Sequence, residues 1–367
     1  MYNEKKNFFS KSETEKVNLL DLDYKAMQSF VLSIGGKNFT TKQIMKWIYN
    51  FYYNDFNLMS NLKKETRKKL HEKAYIYATN FSEEKISSDG TIKWITSINN
   101  QKIETVYIPE KKRSTLCISS QIGCFLNCKF CATGQQGFNR NLTVSEIISQ
   151  IWQANKILKE KRKKCITNVV FMGMGEPLFN IKNVISSIKI ILDKHGFSLS
   201  KRRVTLSTSG VVPALEKLRK VIDINLAISL HAPNNFIRDK IMPINKKYKI
   251  ESFLKAVSKY LKCSSANRGG VTVEYVMLKN INDSNHNAFE LAHLLKKIPS
   301  KINLIPWNFF KGANFICSTL NRINIFASIL RKKGFNTTIR KNRGQDINAA
   351  CGQLTGNVIN KNIDNYI

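Results

Sequence analysis

Eight cysteines stand in this chain, and three of them, Cys124, Cys128 and Cys131, fall within eight residues of one another. Three thiolates in a tight loop can wrap a metal–sulfur cluster, because thiolates are the usual cluster ligands. They can hold three irons of a cubane and leave the fourth open to another ligand. Zinc is the rival reading, but a structural zinc site wants a fourth Cys or His nearby, and His231 is distant in sequence. A set of merely buried core thiols is the blander alternative, which three cysteines in one loop disfavour.

Other residues could do chemistry only in company. Gly173-Met174-Gly175-Glu176-Pro177 brings backbone close to a ligand through its glycines, and Glu176 can accept from a bound ammonium. Alone, it is equally a plain turn. Ser207, Ser229-Leu230-His231 and Asn308 each fall at the end of an expected strand, where a single polar group is usually just satisfied locally. Cys117 lies in an expected strand and by itself reads as a core thiol. Cys351, in a Gly-containing loop, is undecided by itself. Glu104 alternates with apolar neighbours and reads as the solvent face of a strand. Cys165, Cys263 and Cys317 fit no pattern.

The elements that must position these residues follow a regular rhythm. Strand candidates are 115–119, 168–172, 203–207, 225–230, 271–278 and 301–306. Helical stretches lie between them, near 143–160, 181–195, 213–220, 250–262, 285–298 and 318–333. The first opens with Thr143 and Glu146 in capping-box spacing. Strands alternating with helices predict a parallel α/β sheet with right-handed crossovers. Six such units make a partial barrel, whose ligands bind at the C-terminal ends of the strands, where every motif above falls. Upstream, Ile44, Trp47, Ile48 and Phe51 keep helical spacing, and residues 87–109 alternate as strands do. The expected division is a disordered N-terminus (1–17), a small basic helical module (18–90), the partial barrel (91–340) and a C-terminal extension (341–367).

Lys and Arg number 59 against 26 Asp and Glu, a net charge of +33. Such an excess suits a polyanion partner. The chain is also rich in Lys, Asn and Ile together, so biased composition remains an alternative source of the charge. Met1–Lys16 has no apolar core and is not a signal peptide. No apolar run approaches the ~18 residues of a membrane span. A cytoplasmic location without a membrane follows, where clustered cysteines point to metal or catalysis rather than disulfides.

Phe130 just before the last of the three cysteines completes a pattern that resembles the signature of the radical S-adenosylmethionine (SAM) superfamily. The resemblance implies a 4Fe–4S cluster on Cys124, Cys128 and Cys131, with SAM on the open iron. It also implies SAM contacts from Gly175, Glu176, Ser207, Ser229, Leu230, His231 and Asn308. Four longer stretches, Val106–Glu110, Gln135–Arg140, Lys201–Gly210 and Ala349–Leu354, resemble the RlmN-type RNA adenine methyltransferases over about 18–356. That family implies methylation of adenine C2 in 23S rRNA and in tRNA, with two SAM molecules per turnover. By the same resemblance Cys351 accepts a methyl group, Glu104 accepts the C2 proton, and Cys117 attacks Cys351 to release the product through a disulfide. The N-terminal module helps hold RNA, an electron donor such as flavodoxin or ferredoxin is implied, and a monomer is expected. Methylation at C8, as in the Cfr-type relatives, and a non-catalytic iron–sulfur RNA-binding protein are the alternatives.

Overall fold

The computed structural model describes residues 16–162 and 165–356. The segment 1–15 and the tail 357–367, with most of the expected disordered N-terminus and part of the C-terminal extension, lie outside the described residues. Among the described residues no helix is long and apolar enough to cross a membrane.

The chain opens with β1 (Val17–Asn18), α1 (Tyr24–Ser33), α2 (Asn38–Tyr49), α3 (Lys64–Lys73) and β2 (Ala74–Tyr75). Leu19, Leu20, Met27, Val31, Ile44, Met45, Ile48 and Leu70 are fully buried within this module. Of the four residues expected at helical spacing, Ile44 and Ile48 are buried, Trp47 is half-buried, and Phe51 lies beyond the end of α2 and is exposed. β3 (Glu83–Ile86), β4 (Ile92–Ile98) and β5 (Gln101–Pro109) then form an antiparallel meander. The sheet therefore starts at Glu83, some residues before the expected boundary at 91.

Next come β6 (Ser114–Cys117), β7 (Gln121–Gly123), α4 (Ala132–Gln135), β8 (Phe138–Asn141), α5 (Val144–Arg162) and β9 (Asn168–Phe171). They are followed by α6 (Ile181–Leu192), β10 (Val204–Thr208), α7 (Val212–Leu218), β11 (Asn225–Ser229), α8 (Asn235–Ile241) and α9 (Ile250–Cys263). The chain continues through β12 (Val271–Met277), α10 (Asn285–Leu295), β13 (Ser300–Pro306), α11 (Leu320–Lys332) and β14 (Asn336–Ile339). All six expected strands are present, and β14 adds a seventh parallel one.

Ten strands form one sheet in the order β14-β13-β12-β11-β10-β9-β6-β5-β4-β3. From β6 to β14 every pairing is parallel. Inward residues of these strands, among them Thr115, Val170, Thr205, Thr272, Asn303 and Thr338, line one common lumen. The sheet is thus a curled, open barrel, with helices over its outer face. α5 carries its expected capping box: the Thr143 amide donates to Glu146 Oε2 (2.9 Å) and the Glu146 amide to Thr143 Oγ1 (3.2 Å). α5 also anchors the N-terminal module, with the Trp152 indole donating to the Ile48 carbonyl (2.8 Å) and the Ser145 amide to Asp21 Oδ1 (2.7 Å).

Candidate active site at the barrel mouth

The cysteine loop follows β7, beyond the C-terminal end of β6, and is tied down by several elements. The Cys124 amide donates to Gly137 O (2.8 Å), Lys129 N to Ile241 O (3.0 Å), and Trp307 Nε1 to Phe130 O (3.0 Å). Gly134 lets α4 lie against the loop, because a Cβ there would stand 2.9 Å from the Cys128 nitrogen. Burial pushes all three loop thiols up. Against it, the Leu126 amide bonds the Cys124 sulfur, and the Gly134 and Thr133 amides bond that of Cys131. The charge of Arg238 acts on Cys128. Amide-to-sulfur bonds and a nearby cation stabilise thiolates.

This donor set fits a cubane. Among the described residues no three His, Cys, Asp or Glu are gathered as closely as a single metal ion needs. The fit rests on the donors themselves: three cysteines in one loop are the ligands a cluster takes, and no fourth Cys or His stands with them in that loop to complete a zinc site.

Beside the loop is a cavity of about 760 Å³, counting its mouth, lined by Cys131, Gly175, Glu176, Ser207, Ser229 and His231. Glu176 is buried, its Oε1 accepting from Leu178 N (3.1 Å) and its Oε2 from Ser209 N (2.8 Å). Burial raises its carboxyl and these amides oppose the rise. His231 Nδ1 accepts from the Val276 amide (3.0 Å), so its Nε2 carries the proton, and its ring meets Phe130 edge-on at 4.7 Å. Two of the expected SAM contacts differ from the rest. Leu230 is fully buried and offers its carbonyl to Arg238 rather than a side chain to the cavity. Asn308 lines the neighbouring cavity, its Nδ2 donating to Cys351 O (3.1 Å).

That neighbouring cavity, about 680 Å³ with its mouth, is lined by both Cys117 and Cys351. The two cavities share Cys131, Met172, Gly173, Ile305, Arg340 and Cys351 in their walls. Cys117 and Cys351 are free thiols. Burial pushes Cys117 up to about 12, with Arg340 pulling the other way. Arg340 is raised above its ordinary value, with Cys351 the largest cause and burial opposing it. The Cys351 loop is pinned to the cysteine loop by Ala132 N to Gly352 O (2.7 Å) and Thr133 Oγ1 to Leu354 O (2.6 Å).

Glu104 lines neither cavity. It is buried in β5, 3.1 Å from the Lys93 ammonium, and its Oε2 accepts from the Thr355 amide (3.1 Å). Lys93 also donates to Asn348 O (3.1 Å). One buried ammonium thus joins Glu104 to the segment carrying Cys351. Lys93, Arg238, Arg340 and Glu274 went unmarked by motif. The only trace in sequence is the placement of Lys93 and Glu274 among the alternating residues of strands.

The chain resembles proteins of known family along nearly all its length. The model of the ribosomal RNA large subunit methyltransferase N-terminal domain matches residues 17–76, and that of the radical SAM superfamily matches 118–292. A dual-specificity RNA methyltransferase RlmN of Buchnera aphidicola subsp. Schizaphis graminum is 76% identical over 95% of this chain and 96% of its own length. That of Wigglesworthia glossinidia brevipalpis is 56% identical over 97% and 94%. The crystal structure of a radical SAM methyltransferase from Sphaerobacter thermophilus, 37% identical, superimposes with a TM-score of 0.86 over 92% of this chain and 99% of that one. A small N-terminal module, a radical SAM barrel and relatives matched end to end lead to one conclusion: the chain belongs to the RlmN family of radical SAM RNA methyltransferases.

Proposed function

We propose that the chain methylates C2 of an adenosine in 23S rRNA and of one in tRNA, through an S-methyl intermediate on Cys351. The observation that carries this reading is the cavity shared by Cys117 and Cys351, which opens against the cavity at Cys131. A carbon such as C2 is no nucleophile toward an electrophilic methyl group, so a protein thiol must carry the methyl while the cofactor supplies radical reactivity.

In this reading Cys124, Cys128 and Cys131 would hold a 4Fe–4S cluster, which when bound and reduced would supply radical reactivity from SAM. Glu176, Gly175, Ser207, Ser229 and His231 hold SAM beside it, with the Leu230 backbone and Asn308 at the edge. Cys351, as a thiolate, first takes a methyl group from one SAM. When bound, a second SAM at the reduced cluster would supply the radical that removes one hydrogen atom from that S-methyl group. The methylene carbon so exposed bonds adenine C2, and the one electron left over on the adduct would return to the cluster. Glu104 takes the C2 proton, which requires the Thr355 amide to leave its carboxylate as the C-terminal segment shifts. Cys117, as a thiolate, attacks the Cys351 sulfur. The sulfur–carbon bond breaks with its electron pair going to the adenine-bound carbon, which takes up a proton to become the methyl group, and a Cys117–Cys351 disulfide is left. An external reductant such as flavodoxin or ferredoxin resets the pair. The basic module at 18–90 holds phosphates, and the adenine is turned out of its stack to reach the mouth. The protein works as a cytoplasmic monomer in this account.

Incubation with RNA deuterated at adenine C2 tests it by mass spectrometry of the nucleosides. Loss of that label from methyladenosine is expected. A methyl group at C8 with the C2 label retained overturns the assignment. Replacing Cys117 by Ala is expected to accumulate a protein–RNA adduct, and replacing Cys351 by Ala to abolish both adduct and product while leaving the cluster in place.

A further inference from the structure

Arg238, on α8, has no exposed surface. Its Nε donates to Leu230 O (3.0 Å), its Nη1 to Asn245 Oδ1 (2.9 Å), and its Nη2 to Ser209 O (2.7 Å) and Ser229 O (3.1 Å). Its guanidinium carbon lies 5.3 Å from the centre of the Phe253 ring. All four acceptors are neutral oxygens. The adjacent acids are engaged elsewhere: Asp239 pairs with Lys249 (2.8 Å), and Glu176 takes the amides of Ser209 and Leu178. Ser209 stands between the two charges, its amide on Glu176 and its carbonyl on Arg238.

A buried cation without a partner of opposite charge is costly, and neutral acceptors offset only part of that cost. The chain keeps this one on the helix whose end meets the cysteine loop. The last residue of α8, Ile241, accepts from the amide of Lys129, the neighbour of Cys128. The carbonyls that Arg238 gathers end β10 and β11, where the SAM cavity begins. Of the negative charges that act on Arg238, that of Cys128 comes ahead of those of Asp239 and Glu176, and three thiolates with a cluster would bring further negative charge to the same place.

We propose that Arg238 is the built-in counter-charge of the group held by Cys124, Cys128 and Cys131, and that it raises the reduction potential of that cluster. This rests on the cysteine assignment made above. A positive charge beside a cluster favours its reduced, more negative state, and net charge and hydrogen bonding are what tune such potentials. Arg238 touches neither substrate nor the reacting atoms, so it is a positioning residue.

The test is anaerobic reconstitution of wild type, Arg238→Gln and Arg238→Lys with iron and sulfide, then EPR-monitored redox titration without SAM. Circular dichroism and iron and sulfide content are compared first. The Gln variant is expected to titrate at a more negative midpoint than wild type, with the Lys variant restoring most of the difference. Equal midpoints in wild type and a fully loaded Gln variant overturn the proposal. If the Gln variant does not fold or load, Arg238→Met, of similar length and without charge, takes its place. A more negative midpoint in the folded, loaded Met variant, restored by Lys, supports the role of charge, and a midpoint equal to wild type overturns it. Absence of any cluster in wild type instead defeats the cysteine assignment itself, so the two failures are told apart.

Discussion

The imidazole of His231 is held in a left-handed turn (φ 58°) at the end of β11, buried against Phe130 and accepting from Val276 N. Burial, helped by the Arg238 charge, lowers it from 6.5 to about 3. The sign of the linkage follows. Between those values the unfolded chain binds a proton that the folded chain refuses, so stability is complete above about pH 6.5 and falls as the pH drops toward 3. His231→Gln is expected to remove up to one proton from this slope, about 1.4 kcal/mol per pH unit at most. Denaturant titrations of the metal-free protein from pH 7 to 4 measure it, and identical slopes in the two proteins refute it. At this scale the sequence was legible where residue type is rare. Three clustered cysteines, Glu176 between Gly and Pro, and His231 after a strand all stood out. Lys93, Arg238 and Arg340 did not, because one buried cation among 59 basic residues carries no mark of its burial. The role given to Glu104 came only through resemblance, since alternation alone made it a surface residue. The structure buries it against Lys93 instead.

The cysteine loop is set by contacts from several elements, and α4 shows how narrow its tolerance is. A Cβ at Gly134 would meet the Cys128 backbone nitrogen at 2.9 Å and its oxygen at 3.0 Å, and backbone cannot swing aside as a flexible side chain can. Gly134→Ala is therefore expected to shift the Cys128 segment and disturb the amides that bond Cys131. Iron and sulfide per chain after reconstitution should fall well below wild type while the circular dichroism spectrum is kept. Full loading would show that the loop gives way without harm. Long periodic elements were readable at this scale, and short ones were not. The strands β6 and β9 to β13 and helices such as α9 carry clear apolar periods. β14 (Asn-Thr-Thr-Ile) has a single apolar residue and so shows no apolar run, and α8 follows β11 directly with another helix after it, outside the one-strand, one-helix rhythm. α8 is the helix that bears Arg238, so that residue was missed twice over, by type and by element.

Over the whole molecule, the charge of +33 has two sources that sequence could not separate: attraction to RNA and biased composition. The fold gives the distinction a location. α3 stands out from the barrel with Lys63, Lys64 and Lys68 exposed at its start, and its module is docked onto α5 through Trp152 and Asp21. If those lysines meet phosphates, each contact releases counterions and contributes about 0.7–0.9 to the slope of log affinity against log salt. The Lys63→Ala, Lys64→Ala, Lys68→Ala triple variant is then expected to lower that slope by about 2. Adenine methylation at saturating RNA should stay unchanged, because none of the three reaches the barrel mouth. Fluorescence anisotropy with a labelled tRNA across a salt series reads the slope. An unchanged slope would assign these lysines to compositional drift and move the RNA-holding surface to the basic runs on the barrel. A lowered slope with equal turnover would show that the N-terminal module supplies affinity, while the mouth alone selects the atom that is methylated.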